Sequence, residues 1–390
     1  MLGAKLAFRN IKEAGLRTWL NVAVLALTFI VIVGFQGLYT GILAQSSRVM
    51  IEDEVAGGQY WHQNYDPYDV LSIDDGHGII PNGLVQMIEN KKAVPILIRQ
   101  ATIYLLGRAQ AAELRGIEPS QTILNIPSHT LYGKEGELPI LIGKRMAKNK
   151  NLSIGDYVTI RWRDVHGTFD AMEGRVVHIM DTQVPTIDSG ILWVPLEELR
   201  QMTALENEAS IVVVSQNIDQ IETFPPWHFN TQAFLIRDLT EMIKTKRISA
   251  SIIYIILLFL GMLAIFDTQV LSIFRRKKEI GTLIALGMTR MQVVMLFTME
   301  GVIQGVLAIC VSLIFGMPLL SFLSEKGLSI PQIVEGYGFA LSDKLYPIYS
   351  AELVLGTMVF LMVIVTIISF LPSSKIAKLQ PTEALKGKIS

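Results

Sequence analysis

The sequence predicts an integral membrane protein of four transmembrane α-helices, with a large α+β domain inserted between the first and the second. Of 390 residues, 51% are hydrophobic and only 18% charged, whereas a soluble domain is nearer one quarter charged. Apolar runs recur at 20–44, 248–274, 291–323 and 353–371, and each approaches or exceeds the need for about 20 apolar residues per span. Between the first two runs lie roughly 200 residues of different character, with period-two apolar patterning punctuated by turn signals.

Residues 1–44 hold an N-terminal elbow and the first span. Ala4, Phe8, Ile11 and Gly15 share one helical face while Lys5, Arg9, Lys12 and Arg17 supply charge, which predicts a helix lying on the membrane surface. The apolar stretch that follows is too long for a cleaved leader, and no small-residue cleavage site follows it, so it is read as an uncleaved span. Within it Gly34, Gly37 and Gly41 form a small-residue stripe that permits close helix packing.

Residues 45–247 form the α+β domain outside the membrane. Strands are predicted at 94–107, 157–162, 175–179, 190–194 and 210–215, and short helices at 142–150 and 196–202. Tyr60, Trp61, His62, Tyr65 and Tyr68 cluster just past the first span; such aromatics either grip a partner or build core and interface. From about 235 into the second span few helix breakers occur. The second membrane helix is therefore expected to project into the outer domain as a mechanical link, rising 1.5 Å per residue.

Residues 248–390 carry spans two to four, a hairpin and a tail. In the hairpin FRRKKEIGTLIALG, the run Arg275, Arg276, Lys277 and Lys278 cannot sit at mid-bilayer, where each such charge costs roughly 2.5–3.5 kcal/mol. Ile280, Leu283, Ile284 and Gly287 follow at i, i+3, i+4, i+7, an apolar stripe that predicts a short docking helix at about 275–288. Gly287 suits a left-handed C-terminal cap, and Thr289 with Gln292 forms a capping box for the next helix. The third apolar run is overlong, so tilt, a break near Gly316 and Pro318, or a stretch outside the bilayer must absorb the excess.

Basic residues set the orientation. Lys5, Arg9, Lys12 and Arg17 precede span one, Arg275–Lys278 and Arg290 separate spans two and three, and Lys375, Lys378, Lys386 and Lys388 follow span four. Both termini and the hairpin are accordingly expected in the cytoplasm, despite Lys244, Lys246 and Arg247 at the outer end of span two, because long domains translocate largely regardless of charge. Asp267 and Glu300 are carboxylates inside spans two and three; each serves a proton path or bundle lock, or simply reaches the nearby basic run and headgroups. Ile255, Phe259, Met262 and Phe266 line one face of span two, which lines an acyl-chain cavity or faces lipid and bundle.

The sequence offers no catalytic constellation. Cys310 is the single cysteine, and six scattered histidines show no ligand spacing, so neither a disulfide framework nor a metal site is expected. The segment GELPILIGKR is the nearest approach to a phosphate loop, but its glycine spacing is wrong and an arginine stands where the magnesium-binding hydroxyl belongs. No nucleophile elbow, HExxH or dinucleotide fingerprint occurs. The energy source is expected to be another chain, with no cofactor bound by this one.

Four stretches carry a resemblance: AFRNIKEAGLRTWL at the start, RGIEPSQT and ILIGKRMAKNKNLSIGDYVTI in the domain, RRKKEIGTLIALGMTRMQVVMLFTMEG in the hairpin, and LPSSKIAKLQPTEALKG at the end. They resemble the MacB/FtsX-like ABC transporter permeases, the type VII or mechanotransmission class, and among them most the lipoprotein-releasing permeases LolC and LolE. Glu279, Ile280, Gly281, Leu283, Leu286 and Gly287 stand where that family has the pattern of its coupling helix. The resemblance implies an inner-membrane protein with a periplasmic domain, a second permease subunit, identical or paralogous, and a dimer of cytoplasmic ATPases that holds the ATP and magnesium. It further implies that Arg275–Leu286 contacts the ATPase, that spans one and two flank a lipid cavity, and that a lipoprotein is extracted and handed to a periplasmic chaperone. Two relatives of the class set alternatives: MacB-like export of peptides or small molecules from the periplasm, and FtsX-like mechanical activation of a cell-wall hydrolase. The usual MacB arrangement fuses an ATPase to the permease, and FtsX-like outer domains are typically smaller. A membrane-tethered enzyme is disfavoured by the missing catalytic residues.

Overall fold

The computed structural model describes residues 16–105, 107–133, 136–182, 188, 190–218, 221–329 and 344–374. The predicted elbow helix within residues 1–15 and the basic tail beyond 374 lie outside these. Two compact units emerge: one of residues 1–42, 242–329 and 344–390, the other of 43–241 and 330–343.

The first unit is helical. Among the described residues, four stretches are long and apolar enough to cross a membrane: 18–55, 237–275, 290–326 and 351–374. They contain α1 (Leu16–Met50), α6 (Arg237–Arg275), α8 (Arg290–Val311) continued by α9 (Met317–Lys326), and α10 (Ala351–Ser374). Val22, Leu25, Phe29 and Val33 of α1 pack with Ile265, Ala308, Leu320, Leu361 and Val365. The overlong third run is not broken. A single π-helical turn, Ser312–Gly316, carries it over into α9, and Pro318 follows directly on that widened turn as the second residue of α9. Ser312 donates to the carbonyls of Ala308 and Ala26, so the widened turn is tied to the first span.

The second unit is built on a nine-stranded mixed sheet in the order β11-β1-β10-β3-β4-β8-β5-β7-β6. The strands are β1 (Gly58–His62), β3 (Ala93–Leu105), β4 (Arg108–Ile117), β5 (Leu138–Gly143), β6 (Tyr157–Arg163), β7 (Phe169–Met180), β8 (Ile191–Pro195), β10 (Ile211–Val214) and β11 (Trp227–Thr231); β2 (Gly78–Ile79) and β9 (Glu208–Ala209) pair separately. Because Ala101–Tyr104 of β3 also pair with β6, the strands β3, β4, β8, β5, β7 and β6 close into a ring. Closure removes exposed edges from that part of the sheet.

The period-two pattern explains the two cores. In β3, Leu97 and Ile103 face one cluster while Val94, Ile96 and Ile98 face the other; in β8, Leu192 and Val194 oppose Ile191 and Trp193 in the same way. The first cluster is covered by α3 (Lys144–Lys150) and α4 (Leu196–Thr203), through Met146, Ala147, Leu196 and Leu199. The predicted helix at 142–150 therefore starts two residues later, since Ile142 and Gly143 complete β5. The GELPILIGKR segment is this buried strand and its turn into α3, so it offers no phosphate cradle. The remaining helices of the unit are α2 (Asn82–Glu89) and α5 (Gln232–Leu235).

The aromatic cluster divides along the same logic. Tyr60 and His62 are buried, Tyr60 lying against Phe224 and Phe229, and Trp61 meets Tyr65 edge to face. Only Tyr68 is turned to solvent, where its hydroxyl bonds the Asp238 carboxylate.

Candidate functional site

The basic hairpin is formed by the end of α6, the short helix α7 (Lys277–Ala285) and the start of α8. Helicity breaks at Arg276, which has φ −101° and ψ 19° and opens α7. Gly287 closes the turn at φ 99°, a left-handed conformation that favours glycine. Thr289 and Gln292 then make reciprocal side-chain to backbone bonds, a complete capping box at the start of α8.

The apolar stripe of α7 faces inward. Ile280 is fully buried and, with Leu283, Ile284 and Met288, packs on Ile273, Val293, Val294 and Phe297 of the flanking helices. The stripe thus holds the hairpin together. A partner would meet the opposite surface: Arg275, Lys278, Glu279, Ala285 and Gly287 are exposed and Leu286 is 79% exposed, while Gly281 is buried and Lys277 half-buried. Lys277 lies 5.0 Å from the centre of the Phe274 ring.

Arg276 fixes the corner. Its Nε donates to Glu279 Oε2 at 2.7 Å, its Nη1 donates to Glu300 Oε1 at 2.7 Å, and its guanidinium lies 5.0 Å from the centroid of Phe297. The Glu300 side chain is only 7% exposed, so this intramembrane carboxylate is one half of an ion pair that ties α7 to α8. Asp267, by contrast, is exposed on α6.

Three polar side chains that sequence reasoning did not single out join the spans. Asn21 of α1 donates to Thr268 of α6 at 2.9 Å and reaches Gln304 of α8 at 3.5 Å. The available signal was an amide or hydroxyl inside an apolar run, since such groups seek partners on neighbouring helices.

The outer part of the glycine stripe of α1, Gly37 and Gly41, approaches the extended segment before α10, while Gly34 faces α9. A Cβ on Gly37 would overlap the Tyr349 ring, and one on Gly41 would overlap the Tyr346 carbonyl oxygen, while Gly34 has ordinary clearance of 3.5 Å to Leu320. Of the bulky stripe on α6, Ile255 is 63% and Phe259 57% exposed and Met262 and Phe266 are half-buried. Ile255 lines a cavity of about 660 Å³ shared by α1, α6 and α10; the other three do not. Among the described residues, no group of three or more His, Cys, Asp or Glu is arranged to hold a metal ion.

Comparison with known proteins places this architecture. Residues 251–381, from the second span through the hairpin to the tail, match the family described as FtsX-like permease C-terminal. The chain is 20% identical to the lipoprotein-releasing system transmembrane protein LolC of Neisseria meningitidis, over 92% of this chain and 94% of that protein. It is 27% identical to the macrolide export ATP-binding/permease protein MacB of Wolinella succinogenes over 50% of this chain, but spans only 27% of that protein. An uncharacterized ABC transporter permease of Methanocaldococcus jannaschii is 27% identical over 41% of this chain and 39% of its own length. Among solved structures, the extracellular domain of the noncanonic ABC-type transporter YknZ from Gram-positive bacteria aligns with 42% of this chain and 84% of its own, at 15% identity and a TM-score of 0.27. With four apolar helices among the described residues, an FtsX-like permease C-terminal match across three of them and a near full-length alignment to a LolC-type relative, the chain is similar to the ABC transporter permeases of the FtsX, MacB and LolC type.

Proposed function

We propose that this permease extracts lipid-anchored proteins from the inner membrane, driven by ATP hydrolysis in a separate cytoplasmic ATPase pair. The observation that carries the reading is the alignment to a lipoprotein-releasing relative across 94% of that protein, inserted domain included. In this reading both termini and residues 275–288 face the cytoplasm, residues 45–247 are periplasmic, and a second permease subunit, identical or paralogous, completes the pair. Closure of the ATPase dimer pushes α7. The Arg276 staple to Glu300 makes α7 and α8 move together, and α6 carries the movement outward. That helix supports the role because it is unbroken over 39 residues, about 58 Å at 1.5 Å per residue. A lipoprotein released in this way passes to a periplasmic chaperone.

Depleting the protein tests the reading by fractionation of lipoproteins between membranes. Accumulation at the inner membrane is expected; an unchanged distribution overturns it. The match to a macrolide exporter over half of the chain favours export of small molecules as the second reading. Depletion would then raise sensitivity to such compounds and leave lipoproteins in place.

A further inference from the structure

A cavity of about 380 Å³ lies within the inserted domain, where the π-helical turn Ile51–Val55 meets the segment 124–129 and the end of β7. Asn125 N donates to the Glu52 carbonyl at 2.9 Å and holds that segment to the turn. Leu124, Ile126 and Met180 give the cavity apolar walls, His129 and His178 add imidazoles, and Asp53 and Thr182 complete the polar lining with Asn125. A few convergent polar groups among apolar walls are the usual make-up of a small-ligand site. Asp53 is only 5% exposed. Its carboxylate accepts from Thr182 Oγ1 at 2.6 Å and from Asn125 Nδ2 at 3.3 Å. Both donors line the cavity as well, so the carboxylate stands in its wall, and of its roughly four acceptor positions two are left over.

The neighbouring acids each have a cation. Glu52 meets Arg48 at 3.6 Å, Glu54 meets Arg115 at 3.5 Å, and the exposed Asp181 meets Lys144 at 2.8 Å. Asp53 enters no ion pair among the described residues, and the charged groups that act on it, Glu52 and Glu54, carry its own sign. An enclosed carboxylate is costly unless a counter-charge reaches it. The lining indicates which cation fits. Among the described residues no three His, Cys, Asp or Glu are arranged around a metal ion. Asp53, the Asn125 amide oxygen and the imidazole nitrogens instead offer acceptors for the three N–H donors of an ammonium, and the apolar walls suit a methylene stem. We propose that this cavity binds a primary alkylammonium group, its charge on Asp53 and its methylenes against Leu124, Ile126 and Met180. The group belongs to a free small amine or to a lysine side chain of a partner protein, which present the same chemistry. The proposal does not depend on lipoprotein release.

The test is isothermal titration calorimetry of the full chain in micelles with n-butylammonium chloride, for which saturable binding of one equivalent is expected. Butyltrimethylammonium has the same charge but no N–H donor, and should bind about tenfold more weakly, the factor that one charge-assisted hydrogen bond supplies. Asp53→Asn should weaken n-butylammonium by about tenfold or more. The same variant should hold or raise the unfolding midpoint of amine-free protein, because it removes an uncompensated enclosed charge; a carboxylate kept only for structure would lower it. His178→Trp fills the cavity and leaves Asp53 in place, so it should block binding even if Asp53→Asn fails to fold. No saturable binding by the wild type, equal affinity for butyltrimethylammonium, or unchanged affinity in either variant overturns the proposal. The peptide acetyl-Ala-Lys-Ala-amide separates the two sources of the ammonium. Affinity comparable to that of n-butylammonium supports the proposal with a lysine side chain as occupant, and exclusion of the peptide supports it with a free amine.

Discussion

Arg276 Nη1 lies 2.7 Å from Glu300 Oε1 and ties the corner between α6 and α7 to α8, with Glu300 almost wholly enclosed. The guanidinium that meets Glu300 also bonds Glu279 and covers Phe297. Removing one partner of an enclosed ion pair costs more than the pair itself contributes, because the remaining charge keeps its desolvation penalty and loses its counter-charge. Arg276→Met should therefore destabilise the protein by about 2–4 kcal/mol. Glu300→Gln, which keeps an acceptor, should cost less than half as much. Unfolding in micelles with both single variants and the double variant measures the coupling, and additive losses would show that the pair ties nothing together.

The hairpin turns one face to its own helices and leaves the other exposed, and under the proposed coupling to an ATPase, substitutions on the two faces should part company. Leu286→Asp, on the exposed turn, should weaken association with the ATPase at least tenfold, about 1.4 kcal/mol, without altering the unfolding midpoint. Ile280→Asp should unfold the hairpin, because it places a charge among Ile273, Val293 and Phe297. Co-purification with the ATPase and thermal unfolding read the two effects separately. Intact association of Leu286→Asp would remove this surface from the interface.

Much of this was legible in the sequence, and the reasons differ by element. The four spans and the inserted domain follow from composition and run length, which are properties local to each segment. Tyr157–Arg163 alternates because one side of β6 is exposed. In β5, all of Leu138–Gly143 is buried, so no alternation exists to be read and the run resembles a glycine-bounded loop. β4 opens with Arg108, Ala109 and Gln110, residues without strand preference, and it is held by pairing to β3 and β8. Closure through β3 and β6 joins residues nearly 60 positions apart, which no window along the chain can register. In the hairpin, periodicity located the apolar stripe of α7 but not the direction in which it points. A stripe looks the same whether a partner or the neighbouring helices cover it.

The glycines of α1 should respond in opposite directions. Gly34→Ala adds a methyl group where Leu320 stands 3.5 Å away, and replacing a helical glycine reduces the freedom of the unfolded chain. It should be neutral or stabilising by up to about 1 kcal/mol. Gly41→Ala drives a Cβ into the backbone carbonyl of Tyr346, which no side-chain rotation relieves. A loss of about 1–3 kcal/mol is expected, read as the unfolding midpoint in micelles. Equal effects at the two positions would contradict the close approach at Gly41.

His62 makes the inserted domain sensitive to acid. Burial against the Trp227 ring, 5.6 Å away, disfavours its charged form and holds its pKa below the ordinary histidine value; His77 and His228 push in the same direction, while Glu208 opposes them. The sign follows from proton counting. The unfolded chain binds a proton at this ring more readily than the folded one, so stability must fall as the pH drops below about 6.5, the value in an unfolded chain. Above that pH the ring is neutral in both states and contributes no slope. His62→Gln, which cannot titrate, should flatten the decline in unfolding midpoint between about pH 7 and pH 5, whatever its effect on stability at neutral pH. Parallel curves for wild type and variant would show that the ring is protonated as readily in the folded domain as in water, and would place the acid sensitivity elsewhere in the domain.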